Sequence, residues 1–188
     1  MSPTRPFWVF GYGSLMWNPG FATPETRGAR LHGWHRAFCI YSEHYRGTPK
    51  QPGLILGLLP GGSCRGLAHR LPARQYDAVR RYLIHREIDH DGVYRETTRP
   101  IRLDDGRTVP ALVYLADRNH RQFAGKLPLK KAVALVRKGH GATGSNLAYV
   151  QNTVAHLAEM GLRDRQLEKL ARLSGAGGRG STEPDGLG

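Results

Sequence analysis

One carboxylate in this 188-residue chain falls where burial is costly. Tyr76, Val79 and Leu83 lie at helical spacing, and Glu87 continues their apolar stripe at intervals of three, four and four. An inward-facing carboxylate is unfavourable unless it is paired or protonated. Glu87 also falls near the predicted C-terminus of its helix, where the macrodipole disfavours negative charge. Both effects raise its pKa towards the range of a general acid/base. The alternative is a solvated glutamate at a frayed helix end, or one paired with Arg86 or His85, and the residues alone leave the two readings open. Glu43, just after a predicted strand, and Glu96, within one, are the rival acids.

The second chemical feature is Gly11-Tyr12-Gly13-Ser14-Leu15-Met16-Trp17, which follows the apolar run Phe7-Trp8-Val9-Phe10. Glycines let a backbone turn sharply and approach a ligand closely, and successive N–H groups in such a turn make an anion-binding concavity. A tight turn after an edge strand explains the same residues. Met16 breaks the dinucleotide fingerprint, and no Gly-Lys-Ser/Thr follows as in a P-loop. Ser14 lacks the Gly-x-Ser-x-Gly setting and has no assignable His–Asp pair, so it reads as a hydrogen-bonding or loop-shaping residue. Cys39 and Cys64 lie near apolar strand-like runs, where thiols are inert. The nine histidines contain no His-Glu-x-x-His, and His85 and His90 are five apart across a helix end, which disfavours a metal site. Tyr149 alone reads as a core side chain.

The elements that must position these residues begin with a strand at 7–10. Further strands are predicted at 37–41, 54–59 and 64–71, the last two joined by a turn at Pro60-Gly61-Gly62-Ser63. The polar stretch 44–52 is a loop long enough to border a site. Pro72 opens a helix to about residue 87. Strands 93–103 and 109–116 flank the hairpin turn Asp104-Asp105-Gly106. Helices follow at 128–138, 146–159 and 163–173. Strands before helices suggest α+β organisation. Residues 1–173 are expected to form a single domain, and the Gly-rich 174–188 to be a disordered tail.

Composition narrows the function. The 28 Lys and Arg against 15 Asp and Glu give a net charge of +13, so a nucleic-acid partner must be considered. The basic residues are scattered, however. The densest runs are Arg80-Arg81 and Lys130-Lys131, without the interleaved aromatics of a nucleic-acid surface, and a positive field also steers small anions. Two cysteines are too few for a disulfide framework. No signal peptide or membrane-length apolar run is apparent. A soluble cytoplasmic protein is expected, with no membrane partner; the sequence leaves its oligomeric state open.

The loop Gly11–Trp17 resembles the N-terminal signature of the ChaC-like, glutathione-specific γ-glutamylcyclotransferases. Further landmarks stand in the family's order: Leu31-His32-Gly33-Trp34-His35-Arg36, His44-Tyr45-Arg46-Gly47, Pro52 to Leu58, Gly61-Gly62-Ser63-Cys64-Arg65-Gly66, Arg86-Glu87, and Gly144-Ser145-Asn146 with Tyr149. Leu54 and the Gly-Gly-Ser-Cys-Arg-Gly variant are similar to bacterial members. The resemblance spans roughly residues 7–162. It implies a γ-glutamylcyclotransferase-like fold, a small mixed β-barrel flanked by helices. It also implies Glu87 as the catalytic acid/base, with Gly11, Tyr12, Gly13, Ser14, Leu15, Met16 and Tyr149 contacting substrate. The implied reaction converts glutathione to 5-oxoproline and Cys-Gly with no cofactor and no metal. Some members place Gly-Gly-Tyr soon after the glutamate, whereas Ile88-Asp89-His90-Asp91-Gly92-Val93 precedes Tyr94 here. A cyclotransferase for other γ-glutamyl amines or amino acids is the near alternative. A non-catalytic basic nucleic-acid-binding protein is the distant one, and no nucleic-acid partner is expected.

Overall fold

A computed structural model describes residues 4–88 and 92–176. The apolar run near the N-terminus forms β1 (Phe7–Gly11), buried at every position. β2 (Glu25–Ser42), β3 (Gly53–Leu71), β4 (Tyr94–Leu103) and β5 (Thr108–Ala116) complete a closed barrel in the order β1-β3-β2-β4-β5. β1 runs antiparallel to β3 and parallel to β5, through Trp8↔Ala111 and Val9↔Leu112, and so closes the barrel. Phe10, Leu31, Leu54, Leu58, Ile101 and Val113 are among the buried residues of its main core. This is the mixed barrel expected from the resemblance.

The expected turn at Pro60–Ser63 is corrected. β3 is one continuous strand of 19 residues, paired with the 18-residue β2 from Glu25↔Arg70 to Ser42↔Gly53. The glycines instead mark a bulge. The register shifts between His32 and Trp34, where Gly33, Gly61 and Gly62 adopt φ of 81°, 97° and 68°. Glycine accepts the left-handed conformation without a Cβ penalty, and a bulge adds the local twist that lets a long ribbon wrap into a barrel. The chain actually reverses between β2 and β3, at 43–52, which includes the stretch 44–52 read as a loop.

The β4–β5 turn is as expected, with Leu103 N–H donating to the Arg107 carbonyl at 2.8 Å and Gly106 at φ 88°. After Pro72 a single 3₁₀ turn leads into α1 (Tyr76–Glu87), which buries Val79 and Leu83. These pack with Phe7, Val9, Leu15 and Leu71, which fixes the C-terminal end of α1 beside the loop that follows β1. Helices α2 (Leu129–Lys138), α3 (Asn146–Glu159) and α4 (Arg165–Gly175) pack on one another and on β2 and β3. Between α2 and α3 lie the two-residue strands β6 (His140–Gly141) and β7 (Gly144–Ser145). α4 starts two residues later than expected because Asp164 caps it, its Oδ1 accepting from Gln166 N and Leu167 N. No described helix is long and apolar enough to cross a membrane. The expected tail lies almost entirely outside the described residues, as do positions 89–91 of the stretch that separates Glu87 from Tyr94.

Candidate active site

Glu87 and the glycine loop meet at a cavity of ≈ 50 Å³ lined by Tyr12, Gly13, Ser14, Leu15, Leu56, Glu87, Tyr94, Tyr114 and Tyr149. Six elements supply these residues: the loop after β1, β3, the end of α1, β4, β5 and α3. Tyr12, Gly13, Ser14, Leu15, Glu87 and Tyr149 therefore come together as the sequence suggested. Gly11 and Met16 do not line the cavity. A Cβ on Gly11 would stand 3.1 Å from the Leu15 carbonyl carbon, so the glycine is needed for the loop to fold back on itself. Met16 is a core residue, 5 % exposed.

The loop is a single 3₁₀ turn, Ser14–Met16, in which Met16 N–H donates to the Gly13 carbonyl at 2.9 Å. The first N–H groups of such a turn have no partner within it. Three side chains hold it. Buried Arg36 donates from Nε to the Tyr12 carbonyl at 2.6 Å. His69, also buried, lies 2.9 Å through Nε2 from the Leu15 carbonyl; a carbonyl only accepts, so this nitrogen carries the proton. Its Nδ1 then accepts from the Thr26 hydroxyl at 3.1 Å. Burial pushes the His69 pKa down, which keeps the ring neutral in that role.

The third holder is Arg86. Its Nη1 donates to the Asn18 carbonyl (2.7 Å) and the Tyr82 hydroxyl (2.8 Å), and its Nη2 to Ser14 Oγ (2.9 Å). Its Nε lies 3.2 Å from Glu87 Oε1. The ion pair considered from sequence is thus present, and it coexists with a place in the cavity: the Glu87 side chain is 18 % exposed. Burial raises its pKa and Arg86 opposes the rise. Ser14 accepts a hydrogen bond from arginine, as befits a shaping residue.

The remaining wall is neutral. Tyr12 donates to the Tyr114 carbonyl (2.8 Å), Tyr94 to the Leu56 carbonyl (2.6 Å) and Tyr114 to Glu96 Oε2 (2.8 Å). Tyr149 differs, because its hydroxyl accepts from Leu56 N–H at 3.3 Å and retains a proton to donate. Burial raises the pKa of all four phenols. Asn146 fixes Tyr149's helix to β3 by pairing its amide with both Leu54 N–H and Leu54 C=O, each at 2.7 Å. The site is one desolvated carboxylate, paired with Arg86, within a wall of neutral phenols of which Tyr149 keeps a proton to donate, an arrangement suited to proton transfer.

The rival acids lie elsewhere. Glu43 pairs with Arg121, which is 71 % exposed. Glu96 bridges Arg80 (2.7 Å) and Tyr114, behind the tyrosine wall. Cys39 and Cys64 are free and buried, and burial pushes their thiols up to about 12 and about 11. Among the described residues no three His, Cys, Asp or Glu side chains converge as metal ligands.

The barrel with its flanking helices is the γ-glutamylcyclotransferase fold. A crystal structure of a yeast γ-glutamyl cyclotransferase specific to glutathione superposes with a TM-score of 0.81 at 21 % identity, covering 92 % of this chain and 96 % of that one. The chain belongs to the ChaC-like protein family, whose sequence model matches residues 7–175. It is 38 % identical over 165 residues to the glutathione-specific γ-glutamylcyclotransferase of Escherichia coli, covering 88 % of this chain and 71 % of that protein. It is 31 % identical over 169 residues to the enzyme of the same name from Schizosaccharomyces pombe, covering 80 % and 82 % respectively.

Proposed function

We propose that this chain is a glutathione-specific γ-glutamylcyclotransferase, with Glu87 as its proton shuttle. The observation that carries the reading is the desolvated Glu87 carboxylate in a tyrosine-walled cavity beside the loop 11–17. Family membership and the names of the relatives point to the same activity.

The reaction is an internal aminolysis. The glutamyl α-amine attacks its own γ-carbonyl carbon, a C–N bond closes the five-membered ring, and the amide bond to Cys-Gly breaks. Nucleophile and electrophile share one molecule, so the protein's main task is to bend the substrate into attack geometry. Well-oriented intramolecular reactions gain about 7–11 kcal/mol in this way. Glu87 takes a proton from the attacking amine and returns it to the departing Cys-Gly nitrogen. Its raised pKa suits both transfers. Tyr149 and the open N–H groups of the 3₁₀ turn are the donors for the substrate's oxygens, including the oxyanion of the tetrahedral intermediate. No acyl-enzyme is required, in keeping with Ser14 as an acceptor for Arg86.

The test is product analysis. Purified protein incubated with glutathione is expected to release 5-oxoproline and Cys-Gly in equal amounts, without added metal or nucleotide. γ-Glutamyl amino acids under the same conditions are expected to react far more slowly. Faster turnover of γ-glutamyl amino acids would reassign the substrate, and no 5-oxoproline from any of them would remove the activity.

A further inference from the structure

A cavity of ≈ 480 Å³ lies away from Glu87, on the outer surface of the barrel. Its floor crosses β3, β2 and β4, with Gly28 and Gly66 in it, and Met160 and Leu162 from the α3–α4 connection form a wall. Arg65, Arg30 and Arg102 stand on this floor. Arg30 is directly paired with Arg65 on β3 and with Arg102 on β4, so the three side chains leave the same face in one row. Neighbouring strands are about 4.8 Å apart, which spreads the row over roughly 10 Å.

Like charges directly opposed across strands destabilise a sheet. Here none of the three has an ion pair among the described residues, although acids lie close by. Arg27, Arg70 and Arg107 share Glu25, Asp104 and Asp105. Asp104 also borders the cavity, but its carboxylate is held by Arg27 Nε at 2.7 Å and by the Gly28 N–H at 3.2 Å. Among the described residues the exposed row thus makes no ion pair, and it stands above a cavity of the size that binds small molecules. His32 adds a further donor to its edge.

We propose that this row is a binding site for a linked phosphate chain, of the diphosphate or triphosphate class. Arginine forks recognise phosphoryl oxygens bidentately, and several linked phosphoryl groups supply charge to more than one guanidinium at once. No Phe, Tyr or Trp lines the cavity among the described residues. Base stacking, on which single-stranded nucleic acids depend, has none of those platforms there, so a small polyanion is favoured over a polynucleotide. The site goes beyond the proposed activity and does not depend on it.

The test is calorimetric titration of the full chain with inorganic tripolyphosphate, with orthophosphate in parallel. One tripolyphosphate per chain is expected, bound at least tenfold tighter than orthophosphate. Replacing Arg30, Arg65 and Arg102 together by Gln should weaken binding at least tenfold. Arg30→Gln alone, the central position, should weaken it measurably should the triple variant fail to fold. Gly28→Gln keeps every charge and fills the cavity, and should weaken binding comparably. Lys130→Gln with Lys131→Gln, on exposed positions of α2, removes two charges elsewhere and should leave binding unchanged. Non-saturable binding, equal losses in the lysine variant, or retention by Gly28→Gln would overturn the site as mere net charge. So would tight binding of a single-stranded oligonucleotide with none of tripolyphosphate.

Discussion

The cavity beside Glu87 measures ≈ 50 Å³ and the arginine groove ≈ 480 Å³, yet the features suited to acid–base chemistry are in the smaller. In the groove, guanidiniums stand in solvent on an outer sheet face. In the small cavity one carboxylate is withdrawn from water among phenols whose pKa burial raises. Size and charge mark a place to bind. Desolvation of a titratable group opposite donors marks a place to move protons. The substitutions below separate the two, in order of expected effect.

Glu87→Gln keeps the shape of the small cavity and removes the proposed proton shuttle. Turnover of glutathione is expected to fall by about 10²–10⁴-fold, the usual weight of general acid–base catalysis, with substrate binding largely retained. Thermal melts sharpen the result. Glu87's folded-state pKa is raised, so as pH rises the unfolded chain releases this proton first, and wild-type stability declines from the unfolded pKa up to the folded one. The amide does not titrate. The variant should therefore melt at or above wild type near neutrality, and that advantage should vanish at low pH. A variant with wild-type turnover would remove Glu87 from the mechanism.

Arg86→Leu leaves the carboxylate and releases the loop from α1. Misplacing reacting groups by about 1 Å can cost 10²-fold, and a loss of about that order in kcat/KM is expected. Arg86 also opposes the rise in Glu87's pKa, so its loss should move the acid limb of the pH profile to higher pH. Arg86→Lys should restore charge and that limb but only part of the activity, since one ammonium cannot make the same fork of contacts. An unshifted acid limb would show that the limb reports some group other than Glu87.

Ser14→Ala removes one hydrogen bond, which is worth about 1 kcal/mol. Activity should fall by no more than about tenfold, and intact-mass spectra should show no γ-glutamyl adduct. Smallest of all, Glu43→Gln breaks an ion pair whose arginine is 71 % exposed, and should leave turnover unchanged. Glu96→Gln keeps an acceptor for Tyr114 and should stay substantially active.

Much of the small site was readable because its cues are local. The stripe Tyr76-Val79-Leu83-Glu87 needs only helical spacing, and Gly11 and Gly13 flank the turn they permit. What escaped depended on pairings distant in sequence. Tyr94 and Tyr114 read as ordinary strand residues, because the face they present is set only when β1 pairs with β5 and the barrel closes. Arg86 is visible beside Glu87, but its bond to Ser14 spans 72 residues. Pro60-Gly61-Gly62-Ser63 is chemically as good a turn as a bulge, and only the long register with β2 decides. The arginine row is the extreme case: Arg30, Arg65 and Arg102 belong to no basic run, and two strand registers bring them together.

Arg36 ties the loop after β1 to the fate of the whole barrel. The residue is 7 % exposed, and its guanidinium is held by the carbonyls of Tyr12 and Arg65, from β1's loop and from β3. If the loop opened alone, a buried cation would lose an acceptor without gaining water, a penalty larger than the bond itself contributes. Fraying of the loop is thereby made more costly. The Met16 amide hydrogen, bonded to the Gly13 carbonyl, should exchange on the slow timescale of β1 and β3. In Arg36→Leu it should exchange much faster while β4 and β5 keep their protection, as mass-resolved hydrogen exchange would reveal.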